Sequence, residues 1–194
     1  MHEAKIPRAL CDLVRPAVVS FVHRLLLLTH GRPGSKDSKL EVKTLFETGL
    51  VTSLYEYILM SPVFRDYEVR REWKIKDGKK QRPKQIDLWL RPLTGGRPYL
   101  IEVGDFTPAK VKHDLNKTYS HDAKATHYFL AFFRDSESHA INPFGVIEKS
   151  AKRKSKALDT SVIDFDNKYC GTFEVFTSAD RSEHFGYGLL KRKT

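Results

Sequence analysis

Two apolar runs in the middle of the chain flank a tight turn, and each carries one acid that an apolar strand would not ordinarily keep. Residues 85–106 read QIDLWLRPLTGGRPYLIEVGDF. Gly95-Gly96, bracketed by Pro92 and Pro98, is a turn signal, so the stretch is expected to fold as strand, turn and strand. Side chains alternate faces along a strand. Asp87 therefore shares a face with Gln85 and Trp89, while Ile86, Leu88 and Leu90 take the other. On the second strand Glu102 shares a face with Leu100 and Gly104. If the turn pairs the strands, the two carboxylates come side by side. A carboxylate inside an apolar strand is costly unless something compensates it. Two on neighbouring strands point to a divalent cation, because hard cations take oxygen ligands from Asp and Glu. The alternative is that each caps a strand end or pairs with Arg91 or Arg97.

Length and charge narrow the context. A chain of 194 residues is most simply one domain, here an N-terminal helical extension over 1–38, a core over 39–135 and a C-terminal extension over 136–194. Hydrophobic content of 40% and aromatic content of 11% are those of a folded protein, not a disordered one. With 34 Lys and Arg against 24 Asp and Glu the formal charge is +10, which favours a polyanionic partner such as nucleic acid. Cys11 and Cys170 stand alone, without zinc spacing or a disulfide pattern. Residues 18–28 are apolar but interrupted by His23 and Arg24, and fall short of the roughly 20 residues of a membrane span. No signal-peptide pattern opens the chain, so a soluble cytoplasmic protein is expected.

Taken in order, residues 4–30 read as helix, with a break or kink at Pro16, and serve packing or a dimer contact. A loop over 31–38 leads to a helix over 39–60 whose apolar stripe is Leu50, Val51, Leu54 and Ile58. Glu47 falls on the buried side of that helix, with a Lys43 helix pair as the simpler alternative. Residues 67–75 alternate as a strand, with Val69, Arg71 and Trp73 on one face. The following loop carries Lys76, Lys79, Lys80, Arg82 and Lys84, either a solvated hairpin tip or a phosphate contact beside Asp87. Thr107-Pro108 is an N-cap with proline at the first helical position, opening a helix to about residue 123 with Val111, Leu115 and Tyr119 as its stripe. Residues 126–134, THYFLAFFR, read as a strand buried on both faces. The expected topology is a three-strand meander followed by a right-handed crossover to a fourth strand parallel to the third.

This order of elements, with Glu47 on the first core helix, Asp87 on the second strand and Glu102 on the third, resembles the PD-(D/E)xK nuclease superfamily. That group includes restriction endonuclease-like and Holliday-junction-resolvase-like enzymes. The resemblance spans about residues 39–134, and its motif is short and degenerate. It implies an α/β fold with a mixed central sheet flanked by helices. It also implies a Mg²⁺ ion, replaceable by Mn²⁺, held by Asp87 and Glu102 with help from Glu47. The family's lysine would fall two residues beyond Glu102, where this chain has Gly104. A lysine from a neighbouring element can serve instead. Lys112 is the first choice, with Lys110, Lys43 and Lys84 as further options, while Asp105 points to the face opposite Glu102.

Past the core, residues 141–156 form a loop and short helix with a basic cluster that includes Lys149, Lys152, Arg153, Lys154 and Lys156, suited to nucleic-acid contact. Two further strands are expected at 161–165 and 171–176, and the tail GYGLLKRKT is expected to be mobile. No internal repeat, nucleotide-binding glycine loop, Ser/His/Asp set or HExxH spacing is present. The reading is a metal-dependent nuclease hydrolysing phosphodiester bonds, chiefly a DNA endonuclease, acting as a homodimer or with a partner subunit. The alternative is a catalytically weak or inactive nuclease-fold protein that binds nucleic acid as an accessory subunit.

Overall fold

Apolar spacing of three and four residues builds the first two helices and fixes what they cover. In the computed structural model, which describes residues 5–29, 38–74, 85–135, 142–152, 157–178 and 181–193, helix α1 spans Lys5–Thr29. It buries Ile6, Leu10, Val14, Ala17, Val18 and Phe21. The helix runs on through Pro16, where the sequence suggests a break, because buried residues on both sides hold it against its neighbours. Helix α2 spans Ser38–Met60 and buries the expected stripe of Leu50, Val51, Leu54 and Ile58.

The sheet has six strands in the order β1-β2-β3-β4-β6-β5. Strands β1 (Tyr67–Lys74), β2 (Gln85–Pro92) and β3 (Tyr99–Asp105) form the antiparallel meander. Gly95 and Gly96 make the turn between β2 and β3 at φ of 86° and 124°, angles that glycine adopts without penalty. Helix α3 (Pro108–His121) carries the chain over to β4 (Thr126–Asp135), which lies parallel to β3 as expected. Thr107 caps α3 by accepting a hydrogen bond from the Lys110 backbone N–H.

The C-terminal part differs from expectation. Helix α4 (Pro143–Ala151) is followed by one long strand, β5 (Ile163–Ser178), whose pairing shifts register between Phe165 and Cys170. The supposed mobile tail is strand β6 (Arg181–Arg192), seated between β4 and β5. Leu189 and Leu190 point to opposite faces and both are buried. A strand covered on both sides loses the period-two signal, and the glycines around Tyr187 disguise it as a tail.

One face of the sheet, through Leu88, Leu90, Ile101, Val103 and Leu130, packs on α1 and α2. The other, through Phe129, Ala131 and Leu190, packs on α3 and α4. Alternation fails where β1 and β2 pass Glu72 and Asp87, and Ile86, expected on the face of Leu88 and Leu90, clusters instead with Leu100 and Ala125 against Trp73 and Trp89. Glu72 sits at φ 51°, in the left-handed region, and the β1–β2 ladder skips its pairing with Asp87. Trp73 consequently leaves the face of Val69 and Arg71, expected to be its own, and stacks on Trp89. Among the described residues no helix is long and apolar enough to cross a membrane.

Candidate metal and phosphate site

The β2–β3 ladder stops at the pair Leu88↔Ile101. One step further in the same register would set Asp87 opposite Glu102, and there the strands part. Asp87 Oδ2 fills the gap by accepting a hydrogen bond from the Val103 backbone N–H at 2.7 Å. Both acids thus lie on the α3 face of the sheet, as alternation predicts.

Helix α3 supplies the opposing charges. Lys110, Asp114 and Lys117 follow one another at intervals of four and three, so they share one side of the helix. Lys117 Nζ donates to Glu102 Oε2 at 2.7 Å. Lys110 Nζ reaches across to α2 and donates to both Glu47 oxygens, at 2.9 and 3.0 Å. Asp114 is 9% exposed and adds a fourth acid.

Glu102 is only 2% exposed, and its Oε1 is buried without a hydrogen-bond partner. Burial, then the neighbouring Asp87, push its carboxyl up to about 9 against the pull of Lys117. Burial likewise lifts Asp87 to about 6, opposed by the Val103 N–H and Lys117 and reinforced by Glu47 and Asp114. For Lys110, burial works against the charge, but Glu47, Asp114 and Asp87 outweigh it and hold the amine above its ordinary value. Two acids this reluctant to ionise mark a place short of positive charge.

Lys110 lies where a side chain at Gly104 would begin. A Cβ there would collide with Lys110 Cε, would stand 2.7 Å from Lys110 Nζ, and would lie 3.4 Å from Glu47 Oε2. The space beside residue 104 is already filled by a lysine from α3. Lys112, the first choice from sequence, is not brought to the acids: it is exposed and its charge acts on Asp159. The reason is helical phase, since residues 110 and 112 differ by about 200° around the axis. Asp114 and Lys117 were missed from sequence, although the polar row on α3 at intervals of four and three was there to be read beside the Val111–Leu115 stripe.

Of the basic residues expected at phosphate, Lys76, Lys79, Lys80, Arg82, Lys84, Arg153 and Lys154 lie outside the described residues, as does the Lys43 side chain. Lys152 is exposed and pairs with Glu148 at 3.0 Å. Among the described residues no three His, Cys, Asp or Glu side chains converge closely enough to hold an ion. Mg²⁺ needs only one or two carboxylates and keeps several waters. The neighbouring carboxyls of Asp87 and Glu102, with Glu102 Oε1 left without a partner and Asp114 close enough to act on both, are donors that fit such an ion.

Comparisons with family models, with characterised proteins and with solved structures find no match for this chain.

Proposed function

We propose that the chain is a metal-dependent nuclease of the PD-(D/E)xK kind, hydrolysing phosphodiester bonds and acting chiefly on DNA as an endonuclease. The observation that carries the reading is the buried Glu102, with an unpartnered oxygen, beside Asp87 at the point where β2 and β3 part. The net charge of +10 favours a polyanionic substrate.

In this reading Asp87 and Glu102 are the residues that would hold a Mg²⁺ ion. When bound, the ion polarises the scissile phosphate and lowers the pKa of a coordinated water. Lys110, in place of the lysine absent at residue 104, donates a hydrogen bond to the attacking water and orients it. Glu47 holds the Lys110 amine in place through its two hydrogen bonds. Lys117, which donates to Glu102 Oε2 at 2.7 Å, would add positive charge beside the phosphate. The water oxygen forms a new P–O bond and loses a proton to solvent, one ester P–O bond breaks, and the leaving oxygen takes up a proton from solvent.

An accessory role without chemistry is the second reading, and Gly104 is what favours it. Incubation with plasmid, linear and branched DNA and with RNA, in Mg²⁺ or Mn²⁺ and in EDTA, separates the two. Metal-dependent cleavage that disappears in Asp87→Ala supports the nuclease; no cleavage of any substrate with either metal leaves the accessory reading.

A further inference from the structure

The sheet face that bears the acids also bears both tryptophans of the chain, Trp73 and Trp89. Trp89 lies two residues beyond Asp87 on β2, so alternation gives it the same face. Trp73 reaches that face by another route. Glu72 adopts the left-handed backbone conformation that a non-glycine residue rarely takes. The kink swings Trp73 away from the side on which Arg71 reaches Thr52 of α2 at 2.6 Å. The indoles then stack with centroids 5.2 Å apart and planes 17° from parallel. Arg70 lies against them, its guanidinium 4.3 Å from the Trp73 ring and 5.5 Å from that of Trp89.

We infer that this stack is a binding platform for an unpaired nucleobase of the strand whose phosphate lies at Asp87 and Glu102, a proposal that rests on the phosphodiester reading above. Aromatic faces hold bases of any identity by stacking, and Arg70, ion-paired with Glu68, adds a cation–π contribution beside them. Bases inside a duplex have no free face to offer, so the platform favours single-stranded, frayed or flapped substrate. Two residues of strand separate Trp89 from Asp87, about 7 Å, a span that one nucleotide bridges. The indoles also cover the small apolar cluster of Ile86, Leu100 and Ala125. One aliphatic side chain on an unstrained strand would cover it as well; a parallel indole pair obtained through a kinked backbone calls for a use of its flat surfaces. Both rings are only half-buried, which leaves area for a base.

The test uses the tryptophans as their own reporters, because no other indole contributes emission. The full-length protein in EDTA is titrated with end-labelled oligothymidylate and with a blunt duplex of equal length. Indole emission is followed together with anisotropy of the label. Saturable quenching by the single strand, with little change on binding the duplex, is expected. Trp73→Leu, which keeps apolar cover, should weaken single-strand binding by about tenfold or more and leave duplex binding and thermal unfolding unchanged. Trp73→Phe should retain most of the affinity, and it decides the matter if the leucine variant does not fold. Single-strand binding with unchanged emission, no single-strand binding at all, or equal loss for single strand and duplex in the leucine variant would each overturn the platform. Glu102→Gln separates this idea from the nuclease reading. Quenching without cleavage by any form sinks the nuclease alone, whereas duplex cleavage by wild type without quenching sinks the platform alone.

Discussion

The two faces of β3 belong to different problems. Ile101 and Val103 point toward α1 and α2 into the large hydrophobic cluster of the molecule, where both are buried. Leu100, Glu102 and Gly104, the alternate residues, point toward α3, and there the same strand carries a buried acid and a gap filled by a lysine. On the first face Ile101 and Val103 are held by apolar packing, and Tyr99 adds a hydrogen bond with Tyr67. On the second, Glu102 Oε1 has no partner, and two carboxyls are held well above their ordinary range. Stability is therefore stored on one side, and unsatisfied chemistry is kept on the other. Substitutions on β3 should divide the same way.

The largest expected effect is on the open face. Glu102→Gln should lower cleavage by on the order of 10³-fold or more, the scale of losing a principal electrostatic element. Its melting temperature without metal should stay near wild type, because the carboxyl is already held largely neutral near pH 7. A melting temperature that collapses together with activity would erase the distinction between the faces. On the closed face Ile101→Ala should behave inversely. It should cost about 2–5 kcal/mol in denaturant unfolding through lost burial and a cavity, while cleavage well below the new midpoint stays near the wild-type rate.

Lys110→Ala is expected to lower cleavage by about 10²-fold, the range for losing one positioned proton donor. Introducing Gly104→Lys in that background should recover much of the rate, since the alanine vacates the space that a residue 104 side chain needs. Lys112→Ala should change the rate little; if it abolishes cleavage while Lys110→Ala does not, the assignment of the lysine is wrong.

The smallest effect sharpens the electrostatic side of the comparison. Asp87 and Glu102 have folded values above their ordinary 3.8 and 4.5, at about 6 and about 9. Their contribution to stability is therefore complete below about pH 4 and is lost as pH rises through 6 and then 9. His127, buried and pushed down to about 4, acts in the opposite sense, adding stability as pH rises from about 4 to 6.5. In EDTA the melting temperature should then fall from neutral pH to pH 9, by about 2–4 °C for each kcal/mol at this chain length. If Mg²⁺ is held as proposed, it should oppose the fall more at pH 8.5 than at pH 6, where fewer of the carboxyls are ionised. A Glu102→Gln variant that keeps the full alkaline decline would show that the acid is not its source.

Much of this was legible in the sequence, and the misses have a common form. The turn at Gly95-Gly96 and the alternation of Asp87 with Trp89 and of Glu102 with Leu100 are local patterns, so strand, turn and the shared face of the acids follow from about twenty residues of chain. Thr107-Pro108 announces α3 for the same reason, and the stripe of α2 announces its buried side. The left-handed Glu72 leaves no such mark, since no glycine signals it, and so Trp73 was assigned to the wrong face. Nor does β6 announce itself, because Gly186 and Gly188 break up the continuous apolar run that marks β4.

What only the tertiary structure decided is which side chain stands beside each acid. Lys110 meets Glu47 across 63 positions of sequence, and Lys117 meets Glu102 across 15. Beside residue 104 a helix laid over the sheet places the end of Lys110 in the space a Cβ would occupy. Backbone periodicity is set by neighbours in the chain and can be counted along it. Occupancy of a space is set by how separate elements pack, which no single segment of the sequence contains.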